Sequence, residues 1–562
     1  MTADALTLES LGVGGHPLIQ PFLKRLRLRE LLTDALGPVD QRLKLDPVDS
    51  LLLLVRNVTL CRHPLYGVPE WVGSFDPAQL DLEPELVRLV NDDRLGRALD
   101  RLFAADPRSL TTRVVVHMVE AFGIELKRCH QDSTSLTFSG QYKPAQRADG
   151  RRQLRIVHGH NKDHRPDLKQ LVWSLTVSAD GAVPVHYNVF DGNLTDDQLH
   201  VTTWEALRRV VGGPGFIYVA DCKLCTRENM EHVDKAGGHF ITVLPRSRKE
   251  DARFRRHLVD HEVAWEEIWQ RPSRRRQAEP AERFEAVEAP EPTAEGYRLV
   301  WYRSSDKWKH DQRLRDDAIQ SARQELQRLR ERVGRRQLKT EEQVRAAAER
   351  LLDETQAREW VRVDLVPRPH HTHRQAGPGR PGPHTHFVRR TTTVYEPVAV
   401  LNEERIRVSA AADGIFPLVT NIARNDMLPL EALQIYKYQP FVEKRHEQLK
   451  TAAQVVPVNY KSAARIEAFL FLYFLAVSIH AVLERQVRAA MKQQGLRSLP
   501  LYPEERDCSA PTADKILELF APLRRHRLFA GANEVKTFWD PLSDVQRQVL
   551  ELLQVPTAEY GQ

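Results

Sequence analysis

Phe216-Ile217-Tyr218-Val219-Ala220-Asp221 is a run of apolar residues closed by an acid. It has almost no polar alternation, the pattern of a strand covered on both faces. Upstream lie three segments rich in β-branched and aromatic residues, within 124–140, 168–181 and 183–193. The turn Ser178–Pro184 between the second and third predicts a hairpin. Thr195-Asp196-Asp197 is expected to open a helix to Gly212, with Asn193 and Asp196 read first as turn and cap residues. Downstream, a helix over Thr226–Ala236 and a strand over His239–Pro245 follow. The order strand, strand, strand, helix, strand, helix, strand predicts an α/β fold built on a mixed sheet with helices on both faces.

Outward from that core, residues 1–120 read as an all-helical N-terminal module. His16–Gly37 carries apolar residues at helical spacing, and Asp46-Pro47 supplies a start signal for the next helix. Residues 121–247 form the first part of the sheet domain and 248–405 a large α+β insertion. The insertion holds a strand over Gly296–Ser304, a charged helical hairpin near 311–355 and a Pro-, Gly- and His-rich stretch over 367–390 read as a mobile loop. Residues 406–485 are expected to complete the sheet domain, and 486–562 form a C-terminal helical region.

The chain has 562 residues, 82 Lys plus Arg against 76 Asp plus Glu, and a formal charge of +6. Its 41% hydrophobic and 28% charged content exclude a wholly disordered chain. Five cysteines are too few for a disulfide framework, and the lone Cys222/Cys225 couple lacks the second pair of a zinc site. The first fifteen residues have neither the basic nor the apolar part of a signal peptide. Ala468–Leu483 is strongly apolar but short for a bilayer and interrupted by His480, so a buried core helix is expected, and no membrane partner. The His370, His371, His373, His384 and His386 cluster is read as solvent-exposed. The basic Arg271–Arg276 run and the arginines of the 367–390 stretch are read either as a solvated face or as DNA contacts.

Three acids fall where a divalent-ion site needs them. Asp132 lies on the first strand, Asp221 at the end of the fourth and Glu443 on a helix beyond the insertion. If the first and fourth strands are neighbours, the two aspartates stand side by side and the glutamate can reach them. Three hard oxygen ligands suit Mg²⁺, with Mn²⁺ as substitute, and two such ions about 4 Å apart serve phosphodiester chemistry. Lys450 lies seven residues after Glu443 on the same helical stripe, and Tyr436 seven before it. Pro440 is expected either to break that helix or to begin it.

In chain order, HQDSTSL (His130–Leu136), Lys162–Gln170, Gly192–Asp196, YVADCKL (Tyr218–Leu224), DGIFPLVTN (Asp413–Asn421) and Y-x₂-Q-x₃-E-x₆-K (Tyr436, Gln439, Glu443, Lys450) resemble bacterial insertion-sequence transposases. These are the DDE enzymes with a Tyr-Arg-Glu-Lys signature. The resemblance covers most of residues 1–485 and is weakest in the insertion. It implies a ribonuclease H-like domain with Asp132, Asp221 and Glu443 as catalytic ligands of two Mg²⁺ ions. It implies cut-and-paste transposition on double-stranded DNA, both transposon ends and target, by a homodimer on DNA in the bacterial cytoplasm at the nucleoid. It assigns end-phosphate contacts to Tyr436 and Lys450. Gln439 replaces the signature arginine and cannot make its bidentate contact, so Lys437 or Arg445 is expected to compensate. Trp301 is read as core, or by the resemblance as a stacking partner for a flipped base. Two alternatives stand beside this reading: another nuclease of the same fold, and a decayed or repurposed copy that only binds DNA.

Overall fold

The computed structural model describes residues 6–38, 40, 42–142, 154–160, 162, 165–194, 199–272, 280–335, 338–453 and 462–562. The expected helix opening at Thr195-Asp196-Asp197, most of the basic run 271–276 and residues 163–164 lie outside them. The chain forms two compact units, one of 1–242 with 432–562 and one of 243–431.

The first unit starts with a strand where only helices were expected. β1 (Leu6–Gly12) precedes helices His16–Arg25, Leu28–Leu36, Pro47–Leu60, Asp92–Ala104 and Pro107–Phe122. The Asp46 carboxylate accepts from the Val48 N–H at 2.7 Å and Pro47 takes the first helical turn, as the start signal requires. Five strands follow: β2 (Arg128–Phe138), β3 (Lys169–Ser178), β4 (Pro184–Asp191), β5 (Ile217–Val219) and β6 (His239–Val243). They lie in the order β4-β3-β2-β5-β6. β2, β3 and β4 are antiparallel neighbours, while β5 runs parallel to both β2 and β6, so the sheet is mixed. Tyr218, Val219 and Ala220 are fully buried, as their unalternating sequence predicts.

The second unit contains β7 (Glu266–Arg271), β8 (Glu282–Glu288), β9 (Arg298–Ser304), β10 (Val361–Gln375), β11 (Phe387–Leu401) and β12 (Ile415–Thr420). β7, β8, β9 and β12 pair antiparallel in that order. The compact unit is therefore wider than the insertion expected at 248–405. The charged helical hairpin is present as Ser305–Arg330 and Glu341–Glu354, turning at Gly334 with φ 81°. The stretch read as a mobile loop is instead a two-stranded ribbon, β10 against β11, paired from Val361↔Leu401 to Gln375↔Phe387. Proline content argued against strands there. Yet Pro367, Pro369 and Pro397 all fall on the same alternate set of cross-strand pairs, where proline's missing N–H need not cost a ladder bond.

The chain then returns to the first unit with helix Pro440–Ala453 and the 31-residue helix Ala463–Gln493. The latter is long and apolar enough to cross a membrane, but its apolar window is wholly buried in the fold. It packs on Pro47–Leu60, Asp92–Ala104 and β4, forming the unit's core. The C-terminal region is not purely helical: β13 (Leu499–Tyr502), β14 (Arg506–Cys508), β15 (Arg524–Ala530) and β16 (Asn533–Trp539) accompany helices Ala513–Phe520 and Asp544–Leu553. β1 pairs antiparallel with β15 along its whole length, Leu6↔Ala530 to Gly12↔Arg524. The Ser10 hydroxyl also meets the His526 ring at 2.8 Å across 516 positions of sequence.

Candidate active site

β2 is a central strand with polar side chains in its buried stretch. His130, Gln131, Ser133, Thr134 and Ser135 are all at most 5% exposed. Burial of polar groups is tolerated only where partners exist. The Gln131 amide donates to the Ser174 hydroxyl at 3.0 Å, and the Lys162 ammonium donates to the Ser133 carbonyl at 2.7 Å.

The pairing register brings the aspartates together. His130 stands level with Val219, the last pair of the parallel β2–β5 register, and Asp132 and Asp221 each lie two residues beyond it. Asp221 lies just past the end of β5, held in a turn: its carboxylate accepts from the Lys223 N–H at 2.9 Å. Its backbone carbonyl accepts from the Thr242 hydroxyl at 2.6 Å. Asp132 has a side chain 21% exposed, and one oxygen accepts from the Ser133 N–H at 2.8 Å.

Helix Pro440–Ala453 packs against β2 and β3. Pro440 starts this helix rather than breaking one, and Tyr436 ends the preceding helix, Pro429–Tyr436. Gln439, Glu443, His446 and Lys450 recur at intervals of four, three and four, so they share one helical face. That face meets β2 at two levels. The Gln439 amide donates to the Gln131 carbonyl at 2.7 Å, and its oxygen lies 3.3 Å from His130 Nδ1. One turn beyond Glu443, His446 Nε2 lies 3.6 Å from an Asp132 oxygen. Glu443, exposed to solvent, is between these two contacts.

The electrostatics tie the three acids together. Asp132 is pushed up to about 6, first by burial; the charges of Asp221 and Glu443 push the same way, and Lys162, 3.8 Å away, pulls it down. The Tyr436 phenol is raised well above its ordinary value by burial, with Asp221, Cys222, Glu443 and Asp132 adding to the shift. His446 is pushed down to about 3, mainly by burial, so its imidazole is neutral.

The donor chemistry fits a hard divalent cation: carboxylate oxygens that raise one another's proton affinity, beside a neutral imidazole. The spacing is looser than a closed site. Among the described residues, no group of three His, Cys, Asp or Glu side chains is gathered closely enough to hold a metal ion. That statement covers the histidine-rich ribbon and the Cys222/Cys225 couple. Cys222 and Cys225 are not disulfide-bonded, and the Cys222 thiol is raised by burial and by Asp221.

Three residues expected to touch DNA are committed elsewhere. Gln439 is 9% exposed and spends its amide on β2. Arg445 is buried, bonded to Glu484 at 2.9 Å and to the carbonyls of Ala182 and Gly181, so it cannot stand in for the absent arginine. Trp301, on β9, is 1% exposed and stacks on Phe254 with ring centres 3.9 Å apart. It borders a cleft of about 410 Å³ that also carries Glu250, Glu262, Glu288 and Glu291, an acidic setting unsuited to a nucleic-acid base. Core packing is the role the structure gives it. Tyr436, Lys437 and Lys450 are each partly exposed around the acids.

Lys162 and His446 are absent from the sequence-derived site. His446 was within reach of sequence reasoning, because it lies three residues after Glu443 on one helix face. Lys162 opens the Lys162–Gln170 stretch that carries part of the resemblance, but nothing local placed it beside Asp132, since it lies 29 positions from Ser133.

A family model described as "Domain of unknown function (DUF4277)" matches residues 8–116. No curated protein matches the chain. A solved structure titled "Cryo-EM structure of piggyBac transposase synaptic complex with hairpin DNA (SNHP)" is similar over 90% of this chain and 79% of that one, at 9% identity and a TM-score of 0.37.

Proposed function

We propose that this chain is a DDE transposase that cleaves DNA at the terminal inverted repeats of an insertion sequence and joins the freed ends to target DNA. The observation that carries the reading is geometric: the strand bearing Asp132 is paired with β5, just past whose end Asp221 lies, and the helix bearing Glu443 packs on that same strand. Support also comes from the sheet order β4-β3-β2-β5-β6, with the first and fourth strands of the domain adjacent. The proposed domain is ribonuclease H-like.

In this reading Asp132, Asp221 and Glu443 hold Mg²⁺ or Mn²⁺. When bound, the cations supply the charge that activates an attacking oxygen and stabilises a leaving 3′ oxygen. Lys162 orients Asp132 from one side and His446 limits its movement on the other. Gln439 fixes the height of Glu443 over β2. Tyr436 and Lys450 flank the acids, placed to meet phosphates of the DNA ends. The protein acts as a dimer on DNA at the bacterial nucleoid.

The test is strand cleavage of a duplex carrying the element's own ends, with and without Mg²⁺. Asp132→Ala, Asp221→Ala and Glu443→Ala are each expected to abolish cleavage while leaving DNA binding intact. Cleavage surviving in any one of them rejects the assignment. A second reading, a protein that binds DNA without cutting it, is favoured by the looseness of the acid cluster. Its signature is end binding with no metal-dependent nick in the wild type.

A further inference from the structure

The ribbon β10–β11 divides at its middle. Its base is core: Val361 and Val363 pack with Ala322, Leu326, Leu329, Ala348 and Leu352 of the helical hairpin. Beyond Val366 the character changes. From Pro367 to Arg374 and from Phe387 to Thr393 every residue is exposed, on both faces of the ribbon. An antiparallel pair exposed on both sides has no fold-internal reason to persist for seven to eight residues per strand, since isolated ribbons are marginal in water.

The chemistry of this half is one-sided. Residues 367–393 contain Arg368, Arg374, Arg380, Arg389 and Arg390, five histidines and five threonines, and no Asp or Glu. The nearest acid is Glu396, at the base, 3.7 Å from Arg368. Directly opposed residues share a face. The register therefore puts Arg368, His370, Thr372 and Arg374 with Arg390 and Thr392 on one face, and His371 and His373 with Arg389 and Thr391 on the other. The two strands are tied by side chains across the pair, such as His371 to the Thr391 hydroxyl at 3.0 Å.

We propose that this exposed half of the ribbon, Pro367–Thr393, is a DNA-binding arm that enters the major groove of a duplex. Seven to eight residues per strand at ~3.3 Å span about 25 Å, roughly three quarters of a turn of B-DNA. The B-form major groove, about 12 Å wide, admits a two-stranded ribbon, whereas the A-form groove of RNA is too narrow for side chains to read. Arginines on both faces reach the phosphates lining the two walls, and the threonines and histidines between them face base edges. The arm extends the transposase reading to a second DNA contact but needs no cleavage chemistry.

The test uses the full chain, a mixed-sequence 40-base-pair DNA duplex and fluorescence anisotropy across a salt series. Replacing Arg368, Arg374, Arg389 and Arg390 by Ser is expected to weaken binding at least tenfold and to lower the salt slope by about three to four. Circular dichroism and Tm should stay unchanged, because all four side chains are exposed. Removing four exposed arginines of the helical hairpin instead (Arg313, Arg323, Arg332 and Arg350) should cost far less. Guanine N7 methylation, which blocks the major groove, should interfere with wild-type binding and not with residual binding of the variant. An equal loss from both arginine sets, an unchanged salt slope, or equal ribbon-dependent binding to an RNA duplex would overturn the proposal. If the wild type shows arm-dependent binding yet never cleaves, the transposase reading fails and the arm stands.

Discussion

Gln439 is the residue at which sequence and structure part most clearly. It stands at the position of a signature arginine, among the residues expected at the DNA, but its amide is buried and closes the helix onto β2 through Gln131 and His130. Leaving those two groups unsatisfied costs roughly 1–3 kcal/mol. Gln439→Ala is therefore expected to lower the unfolding free energy by about that amount in urea titrations. Gln439→Arg should destabilise too, since a guanidinium there has no solvent exit, and it should not tighten DNA binding. Tighter binding would show that the position reaches DNA after all. Asp132 gives a second expectation. Its folded pKa of about 6 lies above the ordinary carboxyl value, so the folded state holds its proton more firmly than the unfolded chain. That preference stabilises the fold at low pH and is lost as pH rises from about 4 to 6. In chelator-treated protein, Asp132→Asn should raise Tm at pH 7.5 and make no difference at pH 3.5. A gain that persists at the lower pH would remove the burial argument.

At the scale of elements, helix Pro440–Ala453 was legible because proline is preferred in a first helical turn and Glu443, His446 and Lys450 keep its period. The ribbon was not legible. Proline, glycine and histidine carry turn signals, and the compensating fact, that three prolines share one set of cross-strand pairs, exists only once the register is known. The ribbon's base depends on the helical hairpin beneath it. Leu326→Ala or Leu352→Ala, both at 2% exposure, should each cost about 2–5 kcal/mol. Limited proteolysis should then cut first within 361–401. Unchanged protection would mean that the ribbon is held by something other than that core.

At the scale of the molecule, three acids drawn from two strands and a helix repel one another, so a cation that binds them stabilises the whole fold by mass action. Mg²⁺ or Mn²⁺ at a hundredfold over its dissociation constant corresponds to about 2.7 kcal/mol. Thermal melts should show a metal-dependent rise in Tm for the wild type and none for the Asp132→Asn, Asp221→Asn double variant. An equal rise in both would place the cation elsewhere.

The sequence by itself determined the hairpin and buried strand around Asp132 and Asp221, the helix bearing Glu443, and the burial of Ala468–Leu483. Each is a local pattern, because strand alternation, helical period and cap chemistry act over a few residues. Only the tertiary structure decided that β1 pairs with a strand from the other end of the chain, that Gln439, Arg445 and Trp301 face inward, and that Lys162 stands beside Asp132. Those outcomes depend on contacts between residues tens to hundreds of positions apart. No local propensity encodes them, since the free energy that selects them comes from burial and pairing in the assembled core.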